Sequence, residues 1–272
     1  MESVIRDPSL VNHRLLPMRF PRMSPLGFLT SLLFLAFFVS ALDGTDFSLG
    51  EIVHGAPFML ELLSEMFPPS LERMGPISWA LLETFQMALV GTVLGVFFSL
   101  LLGILATRSQ TPSPLLYHIA RWLIALFRTV PDLIWALIFV VLVGLGPFAG
   151  TLAIMIDTIG FCGRFFAEAM EEVDKGPQEA LQALGASRLG TICSAVIPAA
   201  LPSLINTSLF SLEKATRSSV VLGLVGAGGI GIELKVSMDM FMYSQASTIM
   251  ILIFILVLIV ERISTYMRQK IL

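Results

Sequence analysis

The sequence predicts an all-α integral membrane protein, a six-helix bundle, on three observations. Hydrophobic residues make up 56% of the 272 and charged residues only 14%, with a mean hydropathy of +0.86. A water-soluble chain of this length could not hide that much apolar surface. The apolar residues are also gathered into runs long enough to cross about 30 Å of hydrocarbon, which takes roughly 20 residues of helix. Finally, Lys and Arg concentrate in alternate connections between those runs, as they do on the cytoplasmic side of multi-span proteins.

The first run is 24–42, SPLGFLTSLLFLAFFVSAL. It is preceded by a basic tail with Arg6, Arg14, Arg19 and Arg22, expected in the cytoplasm. VSA at 39–41 faintly resembles a signal-peptide cleavage site, but the run is long enough to span, and its removal would put the termini on opposite sides. Segment 47–67 alternates as an amphipathic surface helix, in an acidic stretch that carries only Arg73 among basic residues. The second run lies within 77–106 and the third within about 116–144, joined by a connection bearing Arg108 and Arg121. The fourth, about 149–170, follows the uncharged GLGPFAG. Lys175 and Arg188 precede the fifth, about 197–224, and Arg268 and Lys270 follow the sixth, about 241–260. Both termini are thus expected in the cytoplasm, with the chain crossing the membrane several times. The expected organisation is a tail at 1–23, the first span and an extracytoplasmic amphipathic segment at 24–75, and a five-helix core at 76–272. That core carries a cytoplasmic loop at about 171–196.

Several functions are disfavoured. The net charge of −3 suggests no nucleic-acid partner, and Cys162, Cys193 and the three scattered histidines suggest neither a metal site nor a disulfide framework. No phosphate-cradling G-x-x-x-x-G-K-[ST] occurs, and no catalytic constellation is visible, so the chain is expected to be no enzyme and to hold no cofactor. GLVGAGGIG at 223–231 formally matches G-x-G-x-x-G through Gly226, Gly228 and Gly231. It follows a span rather than a strand, so Gly226, Gly228 and Gly229 are expected to end the fifth helix and let backbone pack closely.

Charges inside the runs are the stronger functional candidates, because they are costly in hydrocarbon. Glu213 and Arg217 are four apart and can neutralise each other, while Lys214 leaves the trio net positive, which suits a pathway for an anion. Arg128 and Asp132 repeat the spacing across Pro131, with Arg128 close enough to the boundary to snorkel. Asp157 and Arg164 complete the set.

The loop GPQEALQALGASRLGTICSAVIPAALP at 176–202 is more patterned than a connection needs to be. Asp174 or Gly176 can cap a helix from Pro177, Gly185 can end it, and a second helix is expected from Ser187 towards Pro198. The result is a helix–turn–helix with Ala180, Leu181 and Leu184 on one face. It serves either as packing on its own bundle or as a dock for a cytosolic partner.

Glu179-Ala180, Gly185 and Ile197-Pro198 resemble the EAA…G…LP loop of ABC importer permeases, with Leu181 and Ile197 as mild departures. FVVLVGLGPFAGTLAI, FFAEAMEEVDKGPQEALQALGAS and RSSVVLGLVGAGGIG are similar to phosphonate-type permeases. The resemblance covers about residues 75–272 and implies a type I ABC importer (MetI-like) fold. It further implies cytosolic ATPase subunits that bind ATP and Mg and dock at Glu179–Gly185, an extracytoplasmic substrate-binding protein, and a second permease copy, giving a homodimer in the lipid bilayer of a bacterial plasma (inner) membrane. Phosphonates, phosphite, hypophosphite or phosphate are the implied cargo. An importer of another small solute such as an amino acid, or a stand-alone secondary transporter, is the alternative.

Overall fold

The computed structural model describes residues 24–271, so the expected tail at 1–23 lies outside the described residues. The chain divides into two compact units, residues 1–60 and 61–272. In the first, α1 (Pro25–Gly44) starts with Pro at its first position, and the Ser24 side chain accepts the Gly27 amide at 3.0 Å. The amphipathic α2 (Leu49–Met66) begins in this unit and ends in the next.

The second unit contains α3 (Met74–Ala106), α4 (Pro114–Thr129), α5 (Asp132–Val143) and α6 (Pro147–Glu171). These are followed by α7 (Lys175–Ala183), α8 (Arg188–Thr191), α9 (Ile197–Leu224), α10 (Ile230–Asp239) and α11 (Tyr243–Ile271). Every described element is helical. The burial pattern is that of a protein dissolved in lipid. Along α3 the buried positions are mostly small or hydroxylated, among them Ala88, Gly91, Thr92, Gly95, Ser99 and Gly103, while Leu89, Val93, Phe97 and Leu101 face outward. Water would expel that outer surface, whereas hydrocarbon is indifferent to it, so close packing of small residues holds the helices together.

The central seam shows how close that packing is. A methyl group on Gly91 would lie 2.7 Å from the Ile154 side chain, and one on Gly95 2.5 Å from Thr158. Ser99 Oγ donates to the Thr158 carbonyl at 3.2 Å, and Gly103 faces Phe166. Contacts advance in the same direction on both helices, so α3 and α6 are parallel. Two spans separated by one full crossing must be parallel, as the alternating basic connections require.

Three expectations about the spans need correction. The third run is not one straight helix: α4 and α5 meet at 93°. Pro131 has no amide hydrogen to donate and pushes Val130 out of helical geometry, so the chain breaks there. At 12 residues, α5 is only about 18 Å long, too short to cross alone. Among the described residues five helices are therefore long and apolar enough to span, or six if the bent pair counts as one. The second helix of the patterned loop does not stop before Pro198 but runs on as one stretch, Arg188–Leu224. A π-helical turn at Ile192–Val196, in which the Ile197 amide donates five residues back to Ile192, widens the helix enough to admit the proline ring. The sixth helix also continues to Ile271, which brings Arg268 into the bundle.

Candidate functional site

The predicted site residues fall mainly in three regions at different levels of the bundle: the loop after α6, a charge cluster and the glycine run. The first follows α6. Asp174, rather than Gly176, caps α7, its carboxylate accepting the Gly176 amide at 3.1 Å, so the helix begins two residues before Pro177. It ends at Gly185, whose φ of +81° is a left-handed conformation suited to glycine. The Gly185 amide donates to Gln182 O at 3.0 Å and the Ala186 amide to Leu181 O at 3.0 Å, the paired bonds of a Schellman stop. Ser187 then caps α8 through the Gly190 amide at 3.1 Å. The turn is thereby set by short-range bonds at both helix ends.

What fixes this element to the bundle is a residue the sequence reading missed. Gln178 is buried, and its side-chain oxygen accepts from Gln110 Nε2 at 2.9 Å. Glu179 and Ala180 beside it are exposed, Leu181 is half-buried, and Leu184 is 85% exposed. One face is tied down while the other presents a carboxylate and a leucine. A pair of glutamines at the ends of two connections is a weak signal, and only the fold brings them together. Ile197 and Pro198 sit just past the π-turn, at the start of α9.

The second region lies where α6, α9 and α11 meet. Glu213 and Arg217 do pair, Oε1 to Nη2 at 2.9 Å, but Glu213 also holds Arg268 through Oε2 at 3.1 Å. Lys214, expected to be the excess cation, is instead bound by both oxygens of Asp157 at 2.9 and 2.8 Å. It is one residue on from Glu213 and so points about 100° away, towards α6. Its ammonium also lies 5.3 Å from the centre of the Phe161 ring, one turn along from Asp157. The cluster remains net positive, with three cations against two carboxylates, but the surplus comes from Arg268. Asp157 thus has a role that spacing could not reveal. Arg128 and Asp132 are not paired: the break at Pro131 destroys the i, i+4 geometry, and Asp132 Oδ1 instead accepts the Leu133 amide at 2.9 Å.

The glycine run seals the far end of the bundle from the α7 loop. The α9 helix stops at Gly226 (φ +89°), with the Ala227 amide donating to Leu222 O at 3.2 Å. Gly228 has no room for a Cβ, which would lie 2.6 Å from Pro147, and Gly226 O accepts the Gly146 amide at 3.0 Å. Gly229 caps α10, where its amide donates to Glu83 Oε1 at 2.8 Å and the Ile230 amide to Thr84 Oγ1 at 2.7 Å. Glu83 is a second residue the sequence reading missed. It is the sole charge in the second run, and an anion at a helix N-terminus is favourable. The run is therefore a close-packed joint between α3, α6, α9 and α10, with no strand before it to make a dinucleotide site.

Comparison with known proteins places these features. A family model described as binding-protein-dependent transport system inner membrane component matches residues 95–271. The phosphate-import permease protein PhnE of Mycolicibacterium smegmatis is 39% identical over 212 residues, 78% of this chain, although the match spans only 40% of that protein's length. The phosphite transport system permease protein PtxC of Stutzerimonas stutzeri is 38% identical, with 71% of this chain and 68% of that protein covered. The inward-facing methionine ABC transporter MetNI shares the fold, with a TM-score of 0.64 at 24% identity over 75% of this chain and 99% of the matched one. With its parallel small-residue seam, glycine joint and capped loop after the fourth run, the chain belongs to the family of binding-protein-dependent transport system inner membrane components.

Proposed function

We propose that the chain forms half of the membrane pathway of an ATP-driven importer for phosphorus oxyanions, with phosphonates, phosphite, hypophosphite and phosphate as the cargo class. The observation that carries this reading is the likeness to phosphate and phosphite permeases at 37–39% identity. The net-positive cluster of Arg217, Arg268 and Lys214 with Glu213 and Asp157 suits an anion. Arg217 is half exposed beside its carboxylate and keeps donors for a passing oxyanion.

In this reading a second copy of the chain completes the pathway, and an extracytoplasmic binding protein delivers the cargo. Cytosolic ATPase subunits, which bind ATP and Mg, dock on the face of α7 bearing Glu179, Ala180 and Leu184. In this reading that loop and both termini lie in the cytoplasm and the glycine joint of Gly226, Gly228 and Gly229 at the outer end, an orientation that the basic connections favour. Motion of the ATPases enters through α7 and α8 and passes along the continuous helix into α9, where the charge cluster lies.

The test is uptake by the assembled transporter in proteoliposomes, with phosphonate, phosphite and methionine as competitors. Phosphonate or phosphite should compete and methionine should not; the reverse result would make this an amino-acid importer. Glu179→Ala should leave the bundle inserted while uptake falls at least tenfold, and ATP hydrolysis should no longer respond to cargo. Normal coupled uptake in that variant would remove the docking role.

A further inference from the structure

A third charged region is used by neither the α7 dock nor the α6–α9–α11 cluster. Between α4 and α6 lies a cavity of about 430 Å³, whose lining includes Arg121, Arg128, Arg164, Glu168 and Ile124. The two helices run antiparallel here: Gly163 meets Ile124, and Gly160 lies against the Arg128 backbone, where a Cβ would be 2.7 Å from its nitrogen.

The three guanidiniums are in different states. Arg121 is held by a carboxylate and a carbonyl, its Nη2 donating to both Glu171 oxygens at 2.9 and 3.1 Å and its Nε to the Ala106 carbonyl at 3.1 Å. Arg164 meets Glu168 through Nε alone, at 2.7 Å, which leaves both terminal nitrogens to donate elsewhere. Arg128 has no carboxylate within ion-pair distance among the described residues. It stands seven residues beyond Arg121, about 10 Å further along α4 from the end where α6 stops. The wall thus holds three cations against Glu168, with Glu171 beside it paired to Arg121. Arg128 and Arg164 are both exposed, so their free guanidinium donors are open to an anion entering the cavity.

We infer that the cavity binds a phosphate-type oxyanion between Arg128 and Arg164, carried either by the free ion or by the headgroup of an anionic phospholipid. A tetrahedral group with several charged oxygens can accept from both helices at once, which a carboxylate fixed to α6 cannot. The apolar part of the lining, Ile124 with the alanines beside it, leaves room for the carbon skeleton attached to such a group. The inference stands apart from the transport reading, and its test reads binding rather than uptake, so either can fail alone.

The experiment uses the full chain, purified and shown to be helical and monodisperse. One arm titrates inorganic phosphate calorimetrically. The other measures, by native mass spectrometry, phosphatidylglycerol retained from mixed phosphatidylglycerol–phosphatidylcholine nanodiscs. Arg128→Gln and Arg164→Gln should each weaken the bound species about tenfold or more, the effect of losing a charge-assisted pair. Arg128→Lys should keep part of the binding and guards against misfolding of the neutral variant, and Arg262→Gln, at an exposed arginine of α11 outside the cavity lining, should change nothing. An effect confined to phosphate identifies the free ion as the ligand; one confined to phosphatidylglycerol identifies the lipid. Unchanged binding of both probes in the folded Gln variants, or no binding of either by the wild type, overturns the site.

Discussion

In the α7–α8 connection the capping bonds are short-range: Asp174 to Gly176, Gly185 to Gln182, Ser187 to Gly190. In the charge cluster the bonds that join helices are long-range, with Lys214 reaching Asp157 across 57 residues and Arg268 reaching Glu213 across 55. The loop holds its shape through backbone chemistry written into adjacent residues. The cluster holds only because three helices have already packed. Damage to the first should therefore be local in stability yet large in coupling, and damage to the second should loosen the bundle itself.

The largest expected loss of stability is Asp157→Ala, which leaves Lys214 unpaired between α6 and α9. Orphaning a fully buried charge costs about 3–5 kcal/mol, and we expect about 2–3 here because Lys214 is 38% exposed. Thermal unfolding in detergent measures it, and Asp157→Ala with Lys214→Met should recover most of the loss. If the double variant is no better than the single one, the pair is not what joins the helices.

Glu213→Gln should come next, at about 1–2 kcal/mol, because it keeps hydrogen-bonding capacity while removing the charge shared by Arg217 and Arg268. An equal loss in Glu213→Gln and in Glu213→Gln combined with Arg268→Gln would show that Arg268 adds nothing. The smallest effects belong to the loop. Gly185→Ala forces a side chain into a φ of +81° and should cost about 1 kcal/mol. Glu179→Ala, on an exposed face, should stay within about 0.5 kcal/mol. A shift for Glu179→Ala as large as that for Asp157→Ala would erase the contrast between the two regions.

The legibility of each feature follows the same division. The apolar runs, the caps at Asp174 and Ser187 and the stop at Gly185 could all be read, because hydrophobic length and capping act over a few residues. Even the parallel packing of α3 on α6 left a trace, the small residues Gly91, Gly95, Ser99 and Gly103 at every fourth position, although it went unread. Pro131 was visible, yet a 93° break was not, since proline removes one bond while the neighbouring helices decide how far the chain then turns.

By itself, then, the sequence determined that this is a helical membrane protein, which side its basic loops favour, and where its patterned loop begins and turns. Only the tertiary structure decided that Lys214 belongs to Asp157, that Glu213 is shared with Arg268, that Glu83 caps α10 and that Gln178 anchors α7. The physical reason is range. Burial length and backbone capping are settled between neighbours, whereas a charge in a low-dielectric bundle takes whichever partner packing brings within about 3 Å.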